Sequence, residues 1–408
     1  MKNLLVRFLL LMGVLLLVGC GGGGSGPFSS GSSASPPTDV KVISGDGGAT
    51  VTWTMESGVE YWVFSAATSN LTPQNWATQS QAKAVRVAQS PQVITGLTNG
   101  TTYSITVNGR KDGGPGGAGS PSISFVPRLA GLVWTLGTPL ATSELRGLGF
   151  AALTFPGIYV AVGAAGSGFV SADGVSWTAV TTGVTTQLNA TAYGGGKHVA
   201  VGAGGTITNS LDAVAWTPVT SPTTNDLNGI ALGGSGLVAV GNNGTILRSN
   251  DGGNTWSVST SGTAAHLYGI GIYGASYVAV GASGTILVSG DGSTWTAQTS
   301  GTTKDLRGVA YSSTRPLFVA VGAGGTIITS ADAIAWVSAT SGTSVNLNSV
   351  NVGGQFSAVG DLGTILVSTD GAIWSMVASG TTANLNAVQF GLIGYSAVGV
   401  GGVNLTSY

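Results

Sequence analysis

From Leu129 to Tyr408 the chain alternates short apolar runs with polar, glycine-bearing breaks, and the alternation returns at a fixed interval. The clearest copy is Tyr277 to Trp295, YVAVGASGTILVSGDGSTW, which reads as two strands around a tight turn, a second turn, and a tryptophan. Runs this short, bounded by Gly, Asn and Asp, predict strands and not helices. The tryptophans that close each copy are Trp134, Trp177, Trp216, Trp256, Trp295, Trp336 and Trp374, with gaps of 43, 39, 40, 39, 41 and 38 residues. A period near 40 built from short strands points to a propeller or a solenoid, not an ordinary globular core.

Each copy has four pieces. A first strand opens with Leu-x-small, as in Leu145-Arg146-Gly147, Leu188-Asn189-Ala190, Leu227-Asn228-Gly229 and Leu267-Tyr268-Gly269, and again at Leu306, Leu347 and Leu385. A second ends in Ala-Val-Gly, as at Ala320-Val321-Gly322. The third follows a turn read as two residues between glycines, Gly241-Asn242-Asn243-Gly244, where Gly and Asn accept positive φ. The fourth carries the tryptophan. Before it lies a Ser-x-Asp turn, at Ser171/Asp173, Ser210/Asp212, Ser249/Asp251, Ser289/Asp291, Ser330/Asp332 and Ser368/Asp370. A short carboxylate there can accept the backbone N–H groups of its own turn. Burying an indole is worth about 4–6 kcal/mol as an upper bound, against about 0–1 kcal/mol for an exposed charge pair. Packing of the tryptophans should therefore hold the units, with the aspartates punctuating the turns.

The ends of the repeat region complement each other. Gly131-Leu132-Val133-Trp134-Thr135 is a tryptophan strand without its three predecessors, and the last copy runs to Tyr408 without its tryptophan strand. Joined, they complete one unit and close a ring of seven, which removes open sheet edges. The fold class expected is all-β, with a seven-bladed propeller over residues 129–408. The Ser-x-Asp-Gly…Trp pattern, as in Ser249-Asn250-Asp251-Gly252-Gly253-Asn254-Thr255-Trp256, resembles the Asp-box of bacterial neuraminidase repeats, a pattern shared by propellers of the photosystem II assembly-factor type. Asp212 and Asp332 precede alanine where that family prefers glycine, so these two turns are expected to differ in shape.

Residues 38–128 read as a small β-sandwich. Val51 and Trp53 alternate with Thr50, Thr52 and Thr54, and Tyr61-Trp62-Val63-Phe64 is the next strand. The stretch from Val93 to Val107, with Leu97, a short turn, Thr101 and Tyr103, resembles the fibronectin type III pattern. The resemblance implies that Trp53 is the core tryptophan and that the Tyr103 hydroxyl bonds back to the backbone at a corner. Such modules serve as spacers or bind proteins.

At the start, Lys2 and Arg7 precede an apolar run, Phe8 to Val18, too short to span a bilayer and suited to a secretory leader over residues 1–19. Leu17-Val18-Gly19-Cys20 resembles the lipobox of bacterial lipoproteins, which implies cleavage before Cys20 and its acylation. Several acyl chains would give durable attachment, at about 0.8 kcal/mol per buried methylene. Gly21 stands where the inner-membrane retention signal of that family places aspartate, so the resemblance favours the outer membrane of the cell envelope. Residues 20–37, GGGGSGPFSSGSSASPP after the cysteine, read as a flexible tether.

Charge narrows the function classes. Charged residues are 7% of the chain and the formal net charge is −1, which leaves no clustered basic footprint for nucleic acid and no polybasic membrane patch. Cys20 is the only cysteine, and His198 and His266 lack ligand spacing, so no metal or other cofactor is expected. In a propeller the first strands line the axis, and their entrances would form a ring of Arg146, Asn189, Asn228, Tyr268, Arg307, Asn348 and Asn386. Glu144, Asp226, His266, Lys304 and Asp305 lie just upstream. This ring is the candidate site for a protein or polysaccharide ligand. The plainer alternative is a solvated channel mouth with Glu144/Arg146 and Asp305/Arg307 simply paired. Glycoside hydrolysis asks for two suitably placed carboxylates; residues 129–408 hold one glutamate, Glu144, and four arginines, Arg146, Arg248, Arg307 and Arg315. The expectation is a monomeric, non-enzymatic binding or scaffold lipoprotein. Its rivals are a sialidase-type hydrolase and an assembly factor for a membrane complex.

Overall fold

The computed structural model describes residues 31–87, 89–152 and 157–408. The expected leader, Cys20 and the first ten residues after it lie outside the described residues. What is described is all-β, with helical turns of only three residues.

Two facing sheets make up the N-terminal part. One holds Lys41–Gly45, Gly48–Thr52 and Gln92–Thr95; the other holds Ser32–Ser33, Val59–Ala66, Lys83–Val87, Tyr103–Lys111 and Ile123–Phe125. Their inner faces bury Val51, Trp53, Tyr61, Val63, Ile94, Tyr103, Ile105 and Val107, the alternate positions of each strand. The Tyr103 hydroxyl accepts the Thr98 N–H at 3.1 Å and donates to the Gln81 side chain. One boundary moves. Ser32 and Ser33, assigned from composition to the tether, pair with Lys111 and Arg110, and Ala34 is buried. The strand Tyr103–Lys111 has a free edge there, and an extended backbone next to it satisfies its open N–H and C=O groups whatever the side chains.

Among the described residues, those from 135 to 407 form seven four-stranded antiparallel sheets. Each begins with a leucine that is wholly buried: Leu145, Leu188, Leu227, Leu267, Leu306, Leu347 and Leu385. The first strand of every sheet lies beside the first strands of the sheets before and after it, and Leu385–Phe390 lies beside Leu145–Ala151. The cycle of inner strands is therefore closed. The last sheet runs Leu385–Phe390, Tyr395–Gly399, Asn404–Ser407 and then Thr135–Leu136, with Leu405 opposite Leu136 and Thr406 opposite Thr135. Ser407 completes the join: its hydroxyl accepts the Gly131 N–H at 2.8 Å and donates to the Val133 carbonyl at 2.5 Å.

Six of the seven tryptophans pack on a ring near the start of the second strand of their own sheet, and Trp256 packs with Leu237 at that position instead. Trp177 meets Tyr159, Trp295 meets Tyr277, Trp336 meets Phe318 and Trp374 meets Phe356, with centroids 6.2–6.3 Å apart. The indole N–H then turns back to its own turn, as Trp374 does to the Gly371 carbonyl at 2.9 Å and Trp134 to Gly131 at 2.9 Å.

Two turn expectations are corrected. The hairpin between second and third strands has a three-residue loop, not two: Asn242–Gly244 makes one tight turn, with the Thr245 N–H on the Asn242 carbonyl at 3.1 Å. Positive φ falls on Asn243 (54°) and Gly244 (66°). Gly241 is extended and is glycine for another reason. A methyl group there would collide with the Asp226 carbonyl, which accepts the Asn242 N–H at 2.9 Å. The alanine-bearing Ser-x-Asp turns keep the common shape, because Ala213 and Ala333 take φ of 63° and 62°, close to the 71° of Gly292. Their carboxylate bonds match too: Asp212 Oδ1 accepts the N–H groups of Val214 and Ala215 at 2.9 and 2.8 Å, as Asp291 accepts those of Ser293 and Thr294. The carboxylate and the indole, which reaches the Ala213 carbonyl at 2.7 Å, outweigh the roughly 1–2 kcal/mol that a left-handed alanine costs.

Candidate functional site

The cavity at the start of the first strands has a volume of about 420 Å³ and is lined by Glu144, Arg146, Asn189, Asn228, Tyr268, Asp305, Arg307, Asn348, Asp361 and Asn386. All seven positions picked out as a ring thus line one cavity. Below it a channel narrows between the small residues that follow, among them Gly147, Ala190, Gly229, Gly269 and Gly308. They are small because neighbouring inner strands crowd there: a methyl group on Gly147 would press on the Cα of Ala190 at 2.7 Å.

The four asparagines do not present free amides. Asn189 Nδ2 donates to the Leu227 carbonyl at 2.9 Å, Asn228 to Leu267 at 2.9 Å, Asn348 to Leu385 at 2.9 Å and Asn386 to Leu145 at 2.8 Å. Each bond crosses to the leucine opening the next sheet. These amides are clasps between sheets, and the carbonyl oxygens they satisfy are buried groups that need a partner. A second set lies just upstream, where Asp226 takes the Gly204 N–H at 2.8 Å, His266 that of Asn243 at 3.2 Å and Asp305 that of Ser283 at 2.9 Å. Each reaches back to the hairpin loop of the preceding sheet. Lys304 is exposed.

Arg146, Tyr268 and Arg307 occupy the three positions without the asparagine clasp. Arg146 and Glu144 pair as the sequence suggests, Nη2 to Oε2 at 2.8 Å and Nε to Oε2 at 2.9 Å. The second pair of the plainer alternative, Asp305 with Arg307, does not form. Arg307 donates from Nη1 to Asn348 Oδ1 at 2.6 Å, while Asp305 Oδ1 turns to the Ser283 amide. Burial pushes the Tyr268 hydroxyl above the usual phenol range; Asp305 adds to this and Arg307 opposes it. His266 lies nearly parallel to the Tyr268 ring with centroids 6.4 Å apart. Arg248 and Arg315 lie on other parts of the sheets; Arg248 donates to the Ser235 carbonyl at 3.2 Å, at the opposite end from the mouth.

Asp361 is the lining residue the ring reading missed. It is the first residue of a hairpin loop, where four of the other sheets have alanine, and its carboxylate accepts Asn346 Nδ2 at 2.9 Å and Asn348 Nδ2 at 2.8 Å. The break from alanine was a visible signal. The six Ser-x-Asp aspartates sit at the far end of the sheets. Asp173, Asp212, Asp251, Asp291, Asp332 and Asp370 each accept the hydroxyl of their serine at 2.8–3.1 Å together with backbone N–H groups of the turn. Those donors hold Asp251 at about 2, the Thr255 hydroxyl and amide contributing most. Among the described residues no group of three His, Cys, Asp or Glu is placed to hold a metal ion, and no helix is long and apolar enough to cross a membrane.

Closed sheets radiating from a cavity-bearing axis define a β-propeller, and solved structures agree. The structure of YCF48 bound to D1 peptide matches with a TM-score of 0.56 and 18% identity, covering 67% of this chain and 94% of its own. YCF48 from Cyanidioschyzon merolae matches at 0.55 and 19%, covering 67% and 98%. A catalytically inactive virginiamycin B lyase from Staphylococcus aureus, with quinupristin, matches at 0.59 and 11%, covering 67% and 99%. At these identities the likeness establishes the propeller fold. No family model matches the chain, and no curated protein matches it.

Proposed function

We propose that the chain is a non-catalytic binding protein of the bacterial cell envelope, which receives a segment of another protein at the propeller mouth. In this reading residues 1–19 are a leader, Cys20 carries the lipid anchor, and the anchoring membrane is the outer membrane. Residues 38–128, with the preceding Ser32–Ala34, are a fibronectin type III spacer, and residues 129–408 are a seven-bladed propeller with Asp-box turns that acts as a monomer.

One observation carries the binding assignment. Where four sheets use asparagine to clasp their neighbour, three present Arg146, Tyr268 and Arg307 into the cavity instead, and Arg307 makes no ion pair with the nearby Asp305. A guanidinium with open donor edges beside a phenol suits the acidic and amide groups of a peptide. The YCF48 structure with a D1 peptide and the assembly-factor resemblance lend support to a protein partner over a polysaccharide.

The sialidase reading fares worse on chemistry. It asks for an activated tyrosine with a carboxylate partner, whereas the Tyr268 hydroxyl is pushed up and both Glu144 oxygens are engaged, by Arg146 and by Asn386 Nδ2 at 2.9 Å.

The test is affinity capture from the native envelope with three proteins: the natural chain, Arg146→Ala/Arg307→Ala, and a control with Arg248→Ala/Arg315→Ala. A partner retained by the first and third and lost by the second is expected. Equal capture by all three would remove the mouth as the binding site. Hydrolysis of sialosides by the natural chain, abolished in Glu144→Gln, would restore the enzyme reading.

A further inference from the structure

The sandwich meets the propeller at the end of the sheets opposite the mouth. The turn Gly45–Gly48 enters between two hairpin tips, residues 353–355 and 391–394. Asp46 is the keystone: its N–H donates to the Ile393 carbonyl at 2.7 Å, its Oδ2 accepts the Gly354 N–H at 3.0 Å, and its Oδ1 accepts Asn99 Nδ2 at 2.8 Å. Ile393 is 3% exposed although it sits at a hairpin tip. It fits because Gly45 and Gly48 lack side chains, since a methyl group on either would collide with it. Arg128 closes the junction, its N–H on the Gly45 carbonyl at 3.2 Å and its Nε on the Tyr408 carbonyl at 3.1 Å. Gln355, 2% exposed, donates to the Ala130 carbonyl at 2.8 Å.

The far end of the sandwich carries the path to the N-terminus. Ser32 and Ser33 pair with Lys111 and Arg110, at the end of the strand whose start, Tyr103, lies opposite Phe125 near the junction. From the N-terminal end to the mouth the order is therefore tether, sandwich, junction, propeller, cavity.

From this order we infer that the sandwich is a fixed stalk that turns the mouth away from the membrane holding Cys20, so that the mouth meets a soluble partner or one standing on the opposite surface, not a component of the anchoring bilayer. The inference rests on the lipid anchor and on the mouth as binding site, and adds the direction of display. Lengths support it. The strand Tyr103–Lys111 has nine residues and Leu145–Ala151 has seven, about 30 and 20 Å at 3.2–3.4 Å per residue. Laying the mouth on the bilayer would raise Gly31 by about the sum of the two, roughly 50 Å. The eleven residues from Cys20 to Gly31 reach at most about 36–40 Å. A buried apolar plug, a bonded carboxylate and the Arg128 contacts resist swinging at the junction.

The experiment uses the lipidated full chain on phosphatidylethanolamine/phosphatidylglycerol vesicles that carry a headgroup nitroxide quencher. Single fluorophores are placed at Ser33→Cys, at the distal end of the sandwich, and at Thr303→Cys, exposed on the mouth side. The expected result is severalfold stronger quenching at position 33 than at 303. Ile393→Asp or Asp46→Ala, each a way of opening the junction, should narrow that ratio while the propeller stays folded by circular dichroism. Equal quenching at the two positions of vesicle-bound natural protein would overturn the stalk. A chain that fails to sediment with vesicles would remove the anchor, and the display geometry with it. Loss of partner capture with the quenching ratio intact would instead implicate the mouth assignment alone.

Discussion

At one end of the seven sheets, six Ser-x-Asp turns keep the same serine–carboxylate and indole–carbonyl bonds, through an extra residue at Asp251 and through alanines held in left-handed geometry; at the other, four asparagines repeat one clasp and three positions abandon it. Both ends stitch the ring, yet only the mouth gives up its shared bond. The turns bury an indole, a serine hydroxyl and a backbone N–H behind one carboxylate, so any departure orphans several groups at once. A clasp joins a single amide to a single carbonyl, and its loss leaves one group to resatisfy. Departures at the mouth therefore cost little, and binding residues can be placed there. Uniformity marks where the fold is held, and variation marks where a ligand can be received.

The largest expected effect lies at the uniform end. Trp374→Ala removes a side chain only 8% exposed and packed on Phe356, together with its bond to Gly371. A loss of about 3–5 kcal/mol is expected from a buried tryptophan, read as a fall in the urea midpoint. An effect under about 1 kcal/mol would mean that the indole is not what seals the sheet. Ser368→Ala should come next, at about 1–3 kcal/mol, because it strips Asp370 of a donor and leaves the Gly371 N–H unpaired.

His198 sharpens the comparison in a different way, since it fills the position that holds Tyr277, Phe318 or Phe356 in other sheets, packed near Trp216 and edge-on to Tyr193. Burial pushes its pKa down to about 4, with Asp212 pulling weakly the other way. The folded value lies below the unfolded one, so the unfolded chain binds the extra proton. Stability is then full above about pH 6.5 and falls toward pH 4, at up to about 1.4 kcal/mol per pH unit. His198→Phe should flatten that segment of the stability–pH curve. Persistence of the slope in the variant would assign it to another group.

How much of this was legible beforehand depends on the reach of each interaction. The tryptophan spacing, the Ser-x-Asp turns and the leucine that opens each first strand are local patterns, and they anticipate the repeated four-stranded sheets and the positions lining the cavity. The clasps were not legible. Asn228 finds Leu267 thirty-nine residues away, and sequence shows an amide at the mouth without showing that it faces the neighbouring sheet. The same holds for Arg307, whose partner is Asn348 and not the adjacent Asp305. The junction is the extreme case, joining Asp46 to Gly354 across 308 positions; its one local clue was an isoleucine at a hairpin tip.

The smallest effect is the one that separates the two ends most directly. Tyr268→Asn restores the residue found in four other sheets, and its amide would meet the carbonyl of Leu306, the leucine opening the next sheet. If the three exceptions were kept for binding at the expense of a clasp, this variant should gain about 0.5–1.5 kcal/mol, the net worth of one hydrogen bond, in urea unfolding. It should at the same time lose affinity for the captured partner. A variant that is less stable than the natural chain would show that Tyr268, with His266 parallel to its ring, is there to pack. The mouth would then be as constrained as the turns, and the contrast between the two ends would collapse.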